Sequence, residues 1–123
     1  MSNFFAITTF ENNDGIINAS VAIDAAHPIF DGHFPGQPVV PGVCLVQIIT
    51  ELSGKACGKK LQLQKAGDIK FLSVVDPVKD NVLRAEIKYS FAEDGVLHAT
   101  AALDQEDRVC LKMKGSFIEK SDG

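Results

Sequence analysis

The sequence predicts one α+β domain, in which a curved antiparallel sheet of about six strands wraps a central hydrophobic helix. Two observations carry this prediction. Only one segment has the composition and end signals of a helix, and its apolar side chains lie all round the axis, so the helix has to be enclosed. The other apolar segments alternate with period two, which is typical of strands with one buried face. A single apolar helix gripped by an antiparallel sheet is the hotdog fold.

The chain is predicted to begin with a hairpin and to continue into this helix. Residues 5–10 and 16–23 are predicted strands, joined by a polar turn that ends in glycine. The helix is predicted over residues 40–57, with Pro41 at its first position and Gly58 directly after its end. Five large aliphatic side chains of the helix are expected to be buried and to contribute on the order of 10 kcal/mol together. They are Val43, Leu45, Val46, Ile48 and Ile49.

The second half of the chain is predicted to complete the sheet. Residues 61–75 form one long strand that ends at an Asp-Pro pair. Residues 83–89 place apolar side chains on odd positions and charged side chains on even positions, as a half-buried strand does. Two more strands, over residues 96–103 and 109–117, follow and make the C-terminal third an antiparallel meander. Since no repeat or linker interrupts the pattern, we predict a single domain over residues 1–123.

Charge is distributed unevenly along the chain. The formal net charge is −4, and the sequence has no Trp and no arginine-rich run, so it lacks the charge pattern of a nucleic-acid-binding protein. The first 54 residues contain no Lys or Arg, whereas five lysines fall within the next 16 residues. An acidic partner is therefore expected to dock on the second part of the chain. These lysines are Lys55, Lys59, Lys60, Lys65 and Lys70.

The cysteines and the N-terminal segment indicate a reducing compartment. Cys44, Cys57 and Cys110 have neither CxxC spacing nor a histidine at ligand spacing, so no zinc site is expected. The N-terminal segment lacks the basic residues and the cleavage site of a secretory signal. The uncharged run over residues 34–50 has 17 residues and contains three prolines, which excludes a membrane span. We therefore predict a cytoplasmic protein that uses no metal ion and no cofactor.

A proline-rich loop directly before the helix is the candidate functional segment. Residues 26–43 hold four of the five prolines and two of the three histidines. Proline restricts its own φ angle and the residue before it, so this loop is held rigid. His33 could act as a general base near neutral pH, and the N–H groups of Gly42 and Val43 could polarise a carbonyl oxygen at the helix start. The alternative is that His33 only hydrogen-bonds within the loop and that Gly42 only permits close packing.

This segment resembles the signature of a known enzyme family. Residues 32–43 read GHFPGQPVVPGV, which is similar to the GHFPGxPxxPGV signature of the β-hydroxyacyl-(acyl carrier protein) dehydratases of type II fatty acid synthesis. A weaker similarity continues through residues 69–80, so the resemblance covers nearly the whole chain. It implies dehydration of 3-hydroxyacyl thioesters to trans-2-enoyl thioesters, in fatty acid or related lipid or polyene synthesis. It also implies that His33 removes the proton α to the thioester, while the N–H groups of Gly42 and Val43 hold the thioester oxygen.

The second catalytic position departs from the family pattern. The family has an acidic residue five positions after the helix-start glycine, where this sequence has Gln47. An amide cannot protonate a leaving hydroxyl, and loss of a general acid typically lowers the rate by about 10²–10⁴. The family often has Gln four residues after that Glu, whereas here Gln47 precedes Glu51, so the two residue types are exchanged on one helical face. Gln47 and Glu51 are therefore candidate catalytic residues beside His33. The alternative is that Glu51 faces solvent or pairs with Lys55.

Three functions stay open on the sequence alone. The first is the dehydratase, and the second is a non-catalytic hotdog subunit that pairs with a paralogue supplying the missing acid. The third is an acyl thioesterase, because the same fold also serves thioester hydrolysis. The resemblance implies an acyl carrier protein with a phosphopantetheine-linked acyl chain as partner, docked on the lysines that follow residue 54. It also implies a homodimer, a heterodimer with a paralogue, or a higher oligomer, in which each site lies between two subunits.

Overall fold

The computed structural model describes residues 4–30 and 39–120. Within these ranges the chain forms one long helix, α1 (Gly42–Cys57), a short 3₁₀ turn at Pro28–Phe30, and six β-strands. The strands are β1 (Phe5–Asn13), β2 (Ile16–Ile23), β3 (Leu61–Phe71), β4 (Val82–Phe91), β5 (Leu97–Gln105) and β6 (Arg108–Glu119).

All six strands join in one antiparallel sheet with the order β1-β2-β4-β5-β6-β3. The predicted C-terminal meander is confirmed, since β4, β5 and β6 are neighbours in sequence and in the sheet. Helix α1 contacts β2 and β4 near one side of the sheet and also β3 at the opposite edge. The sheet must curve to bring both regions to the same helix. This is the predicted hotdog arrangement.

The core lies between α1 and the inward side chains of the strands. Leu45, Ile48 and Ile49 are buried as predicted, and Leu52 joins them. The prediction that all five aliphatic side chains of the helix are buried is wrong for Val43, which is 76% exposed, and Val46 is only partly buried. The sheet of one chain covers only one side of the helix, and Val43 lies in the first turn on the uncovered side.

Both ends of the helix match their sequence signals to within two residues. The helix begins at Gly42, one residue after Pro41, which has an extended conformation with φ −60° and ψ 148°. It ends at Cys57, and the next residue, Gly58, has a φ of 70°, which lies in the left-handed region that glycine adopts without strain. The N–H groups of Gly58 and Lys59 both donate to the carbonyl oxygen of Gly54, which closes the last turn.

Replacing Gly54 by alanine is expected to destabilise the protein. A Cβ atom at Gly54 would lie 2.5 Å from the backbone oxygen of Lys59, which cannot move without opening the helix end. Overpacking of this kind costs about 1–3 kcal/mol, which outweighs the gain of about 1 kcal/mol in helix propensity. Urea denaturation followed by circular dichroism measures the change in the free energy of unfolding.

The adjacent residue provides the matched control. The hydroxyl of Ser53 is buried and has no hydrogen-bond partner in the described part of the chain. Ser53→Ala removes this unsatisfied group at the neighbouring helix position, so its free energy of unfolding should equal or exceed that of the parent protein. Equal stability of Gly54→Ala and Ser53→Ala would contradict the packing argument.

The long strand predicted over residues 61–75 ends earlier, at Phe71, so the prediction is wrong for its last four residues. The N–H groups of Leu72 and Ser73 both point to the carbonyl oxygen of Cys110, at 2.8 and 3.4 Å, and the regular ladder with β6 stops there. The carbonyl oxygen of Val75 instead accepts a hydrogen bond of 2.9 Å from the N–H of Val40. Residues 72–75 therefore fix the segment that enters α1.

Candidate functional site

The start of α1 is held from outside the helix. Besides the bond from Val40 to Val75, the carbonyl oxygen of Pro41 accepts the N–H groups of Cys44 and Leu45, at 2.9 and 3.3 Å. No side chain of the described residues caps this helix start. The first N–H groups of a helix have no acceptor within the helix and carry the positive end of its dipole. Gly42 and Val43, the predicted oxyanion residues, supply these first N–H groups.

An apolar cleft of about 540 Å³ opens beside the helix start. Its walls are the entry segment, the first turn of α1 and the segment that follows β3. Among the described lining residues, Ser73 has the only polar side chain. The ring of Phe71 packs directly on Gly42, since a Cβ atom there would lie 2.8 Å from two ring carbons. Gly42 thus permits close packing, as the alternative interpretation of the sequence proposed, and also leaves the N–H groups of the first turn beside the cleft.

Gln47 and Glu51 form a hydrogen-bonded pair on the same side of the helix. The amide nitrogen Nε2 of Gln47 donates to the carboxylate oxygen Oε2 of Glu51 at 2.9 Å, and both side chains are half-buried. Glu51 is not paired with Lys55, whose ammonium group lies 5.4 Å from the ring centroid of Phe10. Gln47 stands about 7.5 Å along the axis from Gly42, because a helix rises about 1.5 Å per residue.

A second groove, of about 780 Å³, runs past this pair. Gln47, Glu51 and Phe4 are among its lining residues. Four lysines are also among the lining residues. They are Lys55, Lys59, Lys60 and Lys120.

The structure divides the lysine cluster that the sequence showed as one run. Lys55, Lys59 and Lys60 lie along the groove beside Glu51. Lys65 and Lys70 lie in β3 and are exposed. The linear run therefore supplies two separate basic surfaces, because the chain reverses direction between the helix and β3.

His33 lies outside the described residues, together with the rest of residues 31–38. The chain before this segment is fixed by Phe30, which is buried and packs edge to face on Phe4 at 6.3 Å. His27 has a structural environment: its Nδ1 accepts the N–H of Ile29 at 3.0 Å, and its ring packs edge to face on Phe4.

Some of these lining residues were not identified from the sequence. Phe71 falls in the segment of weaker family similarity, residues 69–80, and the sequence does not mark it as a wall of the cleft. Phe4 and Lys120 come to the groove from the two ends of the chain, and no local pattern marks them.

The described residues contain no cluster of His, Cys, Asp and Glu able to hold a metal ion. They also include no helix with the length and apolarity needed to cross a membrane.

Cys44 is expected to react slowly with alkylating reagents. It is buried in α1, and this burial raises the pKa of its thiol, so less thiolate is present at a given pH. Labelling of Cys44 by iodoacetamide should therefore begin at a higher pH than that of a free cysteine and lag behind that of half-buried Cys57. Peptide mass spectrometry of a time course at about pH 8 measures both rates. Equal rates at the two positions would contradict this expectation.

The matching family model and two relatives of this chain are described as dehydratases. The model of the ApeI-like family, described as ApeI dehydratase, matches residues 9–112. The chain is 30% identical over 115 residues to the 3-hydroxyacyl-[acyl-carrier-protein] dehydratase FabZ of Rickettsia bellii (strain OSU 85-389), which covers 87% of this chain and 77% of that protein. It is 29% identical over 89 residues to the FabZ dehydratase of Caulobacter sp. (strain K31), covering 67% of this chain and 55% of that protein. For several such relatives the chain spans only about half of their length or less.

Solved structures share the fold at low sequence identity. The dehydratase heterocomplex ApeI:P from Xenorhabdus doucetiae superimposes with a TM-score of 0.72 at 20% identity, over 93% of this chain and 97% of that chain. A hypothetical thioesterase with coenzyme A from Streptococcus pneumoniae TIGR4 superimposes with a TM-score of 0.66 at 14% identity, over 95% and 86%. Dehydratases and thioesterases thus share the same fold, and the similarity of the backbone alone does not distinguish the two activities.

Proposed function

The chain belongs to the ApeI-like dehydratase family, and from this we propose that it dehydrates 3-hydroxyacyl thioesters of an acyl carrier protein to trans-2-enoyl thioesters. The reaction removes the proton on C2 and the hydroxyl on C3, which leave together as water. The observation that carries the proposal is the hydrogen-bonded pair of Gln47 and Glu51, which lies on the same helix as an uncapped first turn beside an apolar cleft.

The first half of the proposed reaction takes place at the helix start. His33 takes the C2 proton, and negative charge moves to the thioester oxygen. The N–H groups of Gly42 and Val43 hold that oxygen, and the helix dipole stabilises its charge. The apolar cleft of about 540 Å³ beside these groups accommodates the acyl chain, because its described lining carries no charged side chain.

The second half of the proposed reaction involves Gln47 and Glu51. Glu51 lies about 13.5 Å along the helix axis from Gly42, since a helix rises about 1.5 Å per residue. Its protonated form therefore gives its proton to the C3 hydroxyl through bridging water molecules, and the hydroxyl leaves as water. Oε2 of Glu51 can accept the amide of Gln47 in both protonation states, so Gln47 keeps the carboxyl group in one orientation while the proton leaves from the other oxygen. Proton exchange with solvent restores both His33 and Glu51. Gln47 is then a positioning residue, and Glu51 has taken over the role of the family's acid.

The charge beside this pair indicates where the partner protein docks. The groove is lined by Lys55, Lys59, Lys60 and Lys120, and we assign the docking of an acidic acyl carrier protein to this surface. The phosphopantetheine arm would pass along the groove toward Glu51. A cytoplasmic location is part of the proposal, because the three cysteines are free thiols.

We also propose that the protein works as a dimer, with the loop of one chain facing the helix of the other. Strand β3 forms one edge of the sheet and hydrogen-bonds to a neighbour on one side only. Apolar side chains are exposed where this edge meets the helix start. They are Val43, Phe71, Leu72 and Val74. An unpaired strand edge bordered by apolar surface is a ready site for a second chain.

The protein is therefore expected to sediment with the mass of a dimer at micromolar concentration. Analytical ultracentrifugation over a dilution series measures the mass. Replacing the exposed edge residue Leu72 by Glu places charge in the expected interface and should raise the dissociation constant at least tenfold. A monomeric mass of the parent protein at all concentrations would exclude the homodimer.

The second candidate is a subunit of a heteromeric dehydratase, and Gln47 is the observation that favours it. A chain without the family's acid at this position could depend on a paralogue for the proton. Incubation of the purified protein with a 3-hydroxyacyl thioester of an acyl carrier protein, followed by mass spectrometry, separates the candidates. Loss of water supports the self-sufficient dehydratase. Loss of water only after a paralogue is added supports the subunit, and release of free carrier thiol identifies a thioesterase.

A further inference from the structure

Strand β5 ends on a buried glutamine that faces the core. Gln105 continues the alternation of the strand and is only 2% exposed. Burying an amide costs free energy unless its donors and its acceptor are satisfied. The inward positions before it are apolar and buried, and they are Leu97, Ala99, Ala101 and Leu103. A polar side chain at the end of this apolar row therefore needs partners inside the protein.

The amide of Gln105 has those partners. Its Nε2 donates to the carbonyl oxygen of Asp80 at 2.6 Å and to that of Asp76 at 3.2 Å, which uses both donors of the amide. Its Oε1 accepts a hydrogen bond from Nη2 of Arg108 at 3.2 Å. We call the two bonds from Nε2 the Gln105 bridge. This bridge ties the end of β5 to the connection between β3 and β4.

The turn that Gln105 holds has hydrogen bonds of its own. The carboxylate oxygen Oδ1 of Asp76 accepts the N–H groups of Val78 and Lys79, at 2.9 and 3.1 Å. The N–H of Asp80 donates to the carbonyl oxygen of Asp76 at 3.2 Å. Bonds from an aspartate to the backbone that follows it are typical of tight turns. The turn is therefore one unit, and the Gln105 bridge holds it at both ends.

Val75 links this turn to the start of α1. It directly precedes the turn, it is 1% exposed, and its carbonyl oxygen accepts the N–H of Val40 at 2.9 Å. In the described part of the chain this is the one backbone hydrogen bond that joins residues 39–41 to anything other than α1. Pro41 restricts its own φ angle and the conformation of the residue before it. A shift of Val40 is therefore passed on to Gly42.

We infer that Gln105 is a positioning residue, which orients the first turn of α1 through the turn after β3 and through Val75. The catalytic part of this inference rests on the proposed function, in which the N–H groups of Gly42 and Val43 hold the thioester oxygen. Such donors stabilise charge only where they are held at the position at which it develops. Interactions that strengthen in the transition state act on kcat more than on KM. Loss of the bridge should therefore lower kcat and leave KM nearly unchanged.

Amide hydrogen exchange followed by NMR tests the bridge without reference to catalysis. Gln105→Met keeps a side chain of similar volume and removes its hydrogen bonds. The control, Ile87→Val, removes one buried methyl group from β4 and leaves the bridge intact. In Gln105→Met the exchange rate of the Val40 amide should rise about tenfold more than that of the Ala101 amide in the middle of β5. In Ile87→Val the rate at Val40 should rise no more than that at Ala101.

Steady-state kinetics of the same variants test the catalytic part. With a 3-hydroxyacyl thioester of an acyl carrier protein, Gln105→Met should lower kcat about tenfold and change KM less than about threefold. Ile87→Val should keep kcat within about twofold of the parent value. The temperature is one at which circular dichroism shows both variants to be folded, so loss of stability alone does not change kcat. Absence of turnover in the parent protein would contradict the proposed function, and the exchange rates would still decide whether the bridge holds Val40.

Two outcomes would overturn the inference. Equal acceleration of exchange at Val40 and Ala101 in Gln105→Met would show that Gln105 contributes only to global stability. An unchanged kcat in Gln105→Met, beside a parent protein that turns over, would show that the helix start does not need the bridge. If Gln105→Met does not fold, Gln105→Asn replaces it, because its amide is drawn back from both carbonyl oxygens by one methylene group. Exchange at Val40 should then rise about threefold more than at Ala101, and an equal rise would overturn the inference.

Discussion

Replacing His33 by alanine is expected to reduce the turnover of a 3-hydroxyacyl carrier-protein thioester by about 10²–10⁴-fold. The imidazole is the proposed acceptor of the C2 proton, and no other side chain in the proposed mechanism can take that role. Mass spectrometric detection of the enoyl product under single-turnover conditions measures the effect.

The other histidine near this loop supplies the matched control. His27 accepts a backbone hydrogen bond and packs on Phe4, so it has a structural environment and no proposed part in proton transfer. His27→Gln should therefore change turnover far less than His33→Ala. Unchanged turnover in His33→Ala would remove this residue from the chemistry and would favour the binding-subunit candidate.

Replacing Glu51 by glutamine is expected to have the second-largest effect, a loss of about 10²–10³-fold, because the amide cannot supply a proton to the leaving hydroxyl. Gln47→Ala should lose less, since it removes only the hydrogen bond of 2.9 Å that orients the carboxyl group of Glu51. The pH dependence of turnover distinguishes the two roles. Gln47→Ala should retain the limb of the pH profile that reports the acid, whereas Glu51→Gln should lose it.

Gln47→Glu is the most informative variant. It restores the family's acid at the position nearer the helix start, next to the carboxyl group of Glu51. If Glu51 has taken over the acid role, this variant should change turnover little or lower it, because two carboxyl groups then share one site. A marked increase in turnover would instead show that Gln47 is a weakened catalytic position and that Glu51 is not the acid.

The local features of this fold could be predicted from the sequence, because they depend on neighbouring residues. Proline and glycine mark the two ends of α1, and both effects act within one turn of helix. The alternation in residues 83–89 identified β4, since a strand with one buried face must alternate. The motif of residues 32–43 indicated the family from the amino-acid sequence alone, because the prolines, the histidine and the glycine of the helix start are contiguous in the chain. The match of the family model over residues 9–112 confirms that assignment.

Only the tertiary structure decided which of the possible neighbours each side chain has. The sequence allowed Glu51 to pair with Lys55. In the structure the ammonium group of Lys55 lies over the ring of Phe10 in β1, and Glu51 is paired with Gln47. Val43 belongs to an apolar helix, yet it is exposed, because the position of the sheet determines which side of that helix is covered. The lysines that follow residue 54 form one run in the sequence and two surfaces in space. Period and composition are local quantities, whereas these outcomes depend on contacts between residues far apart in the chain.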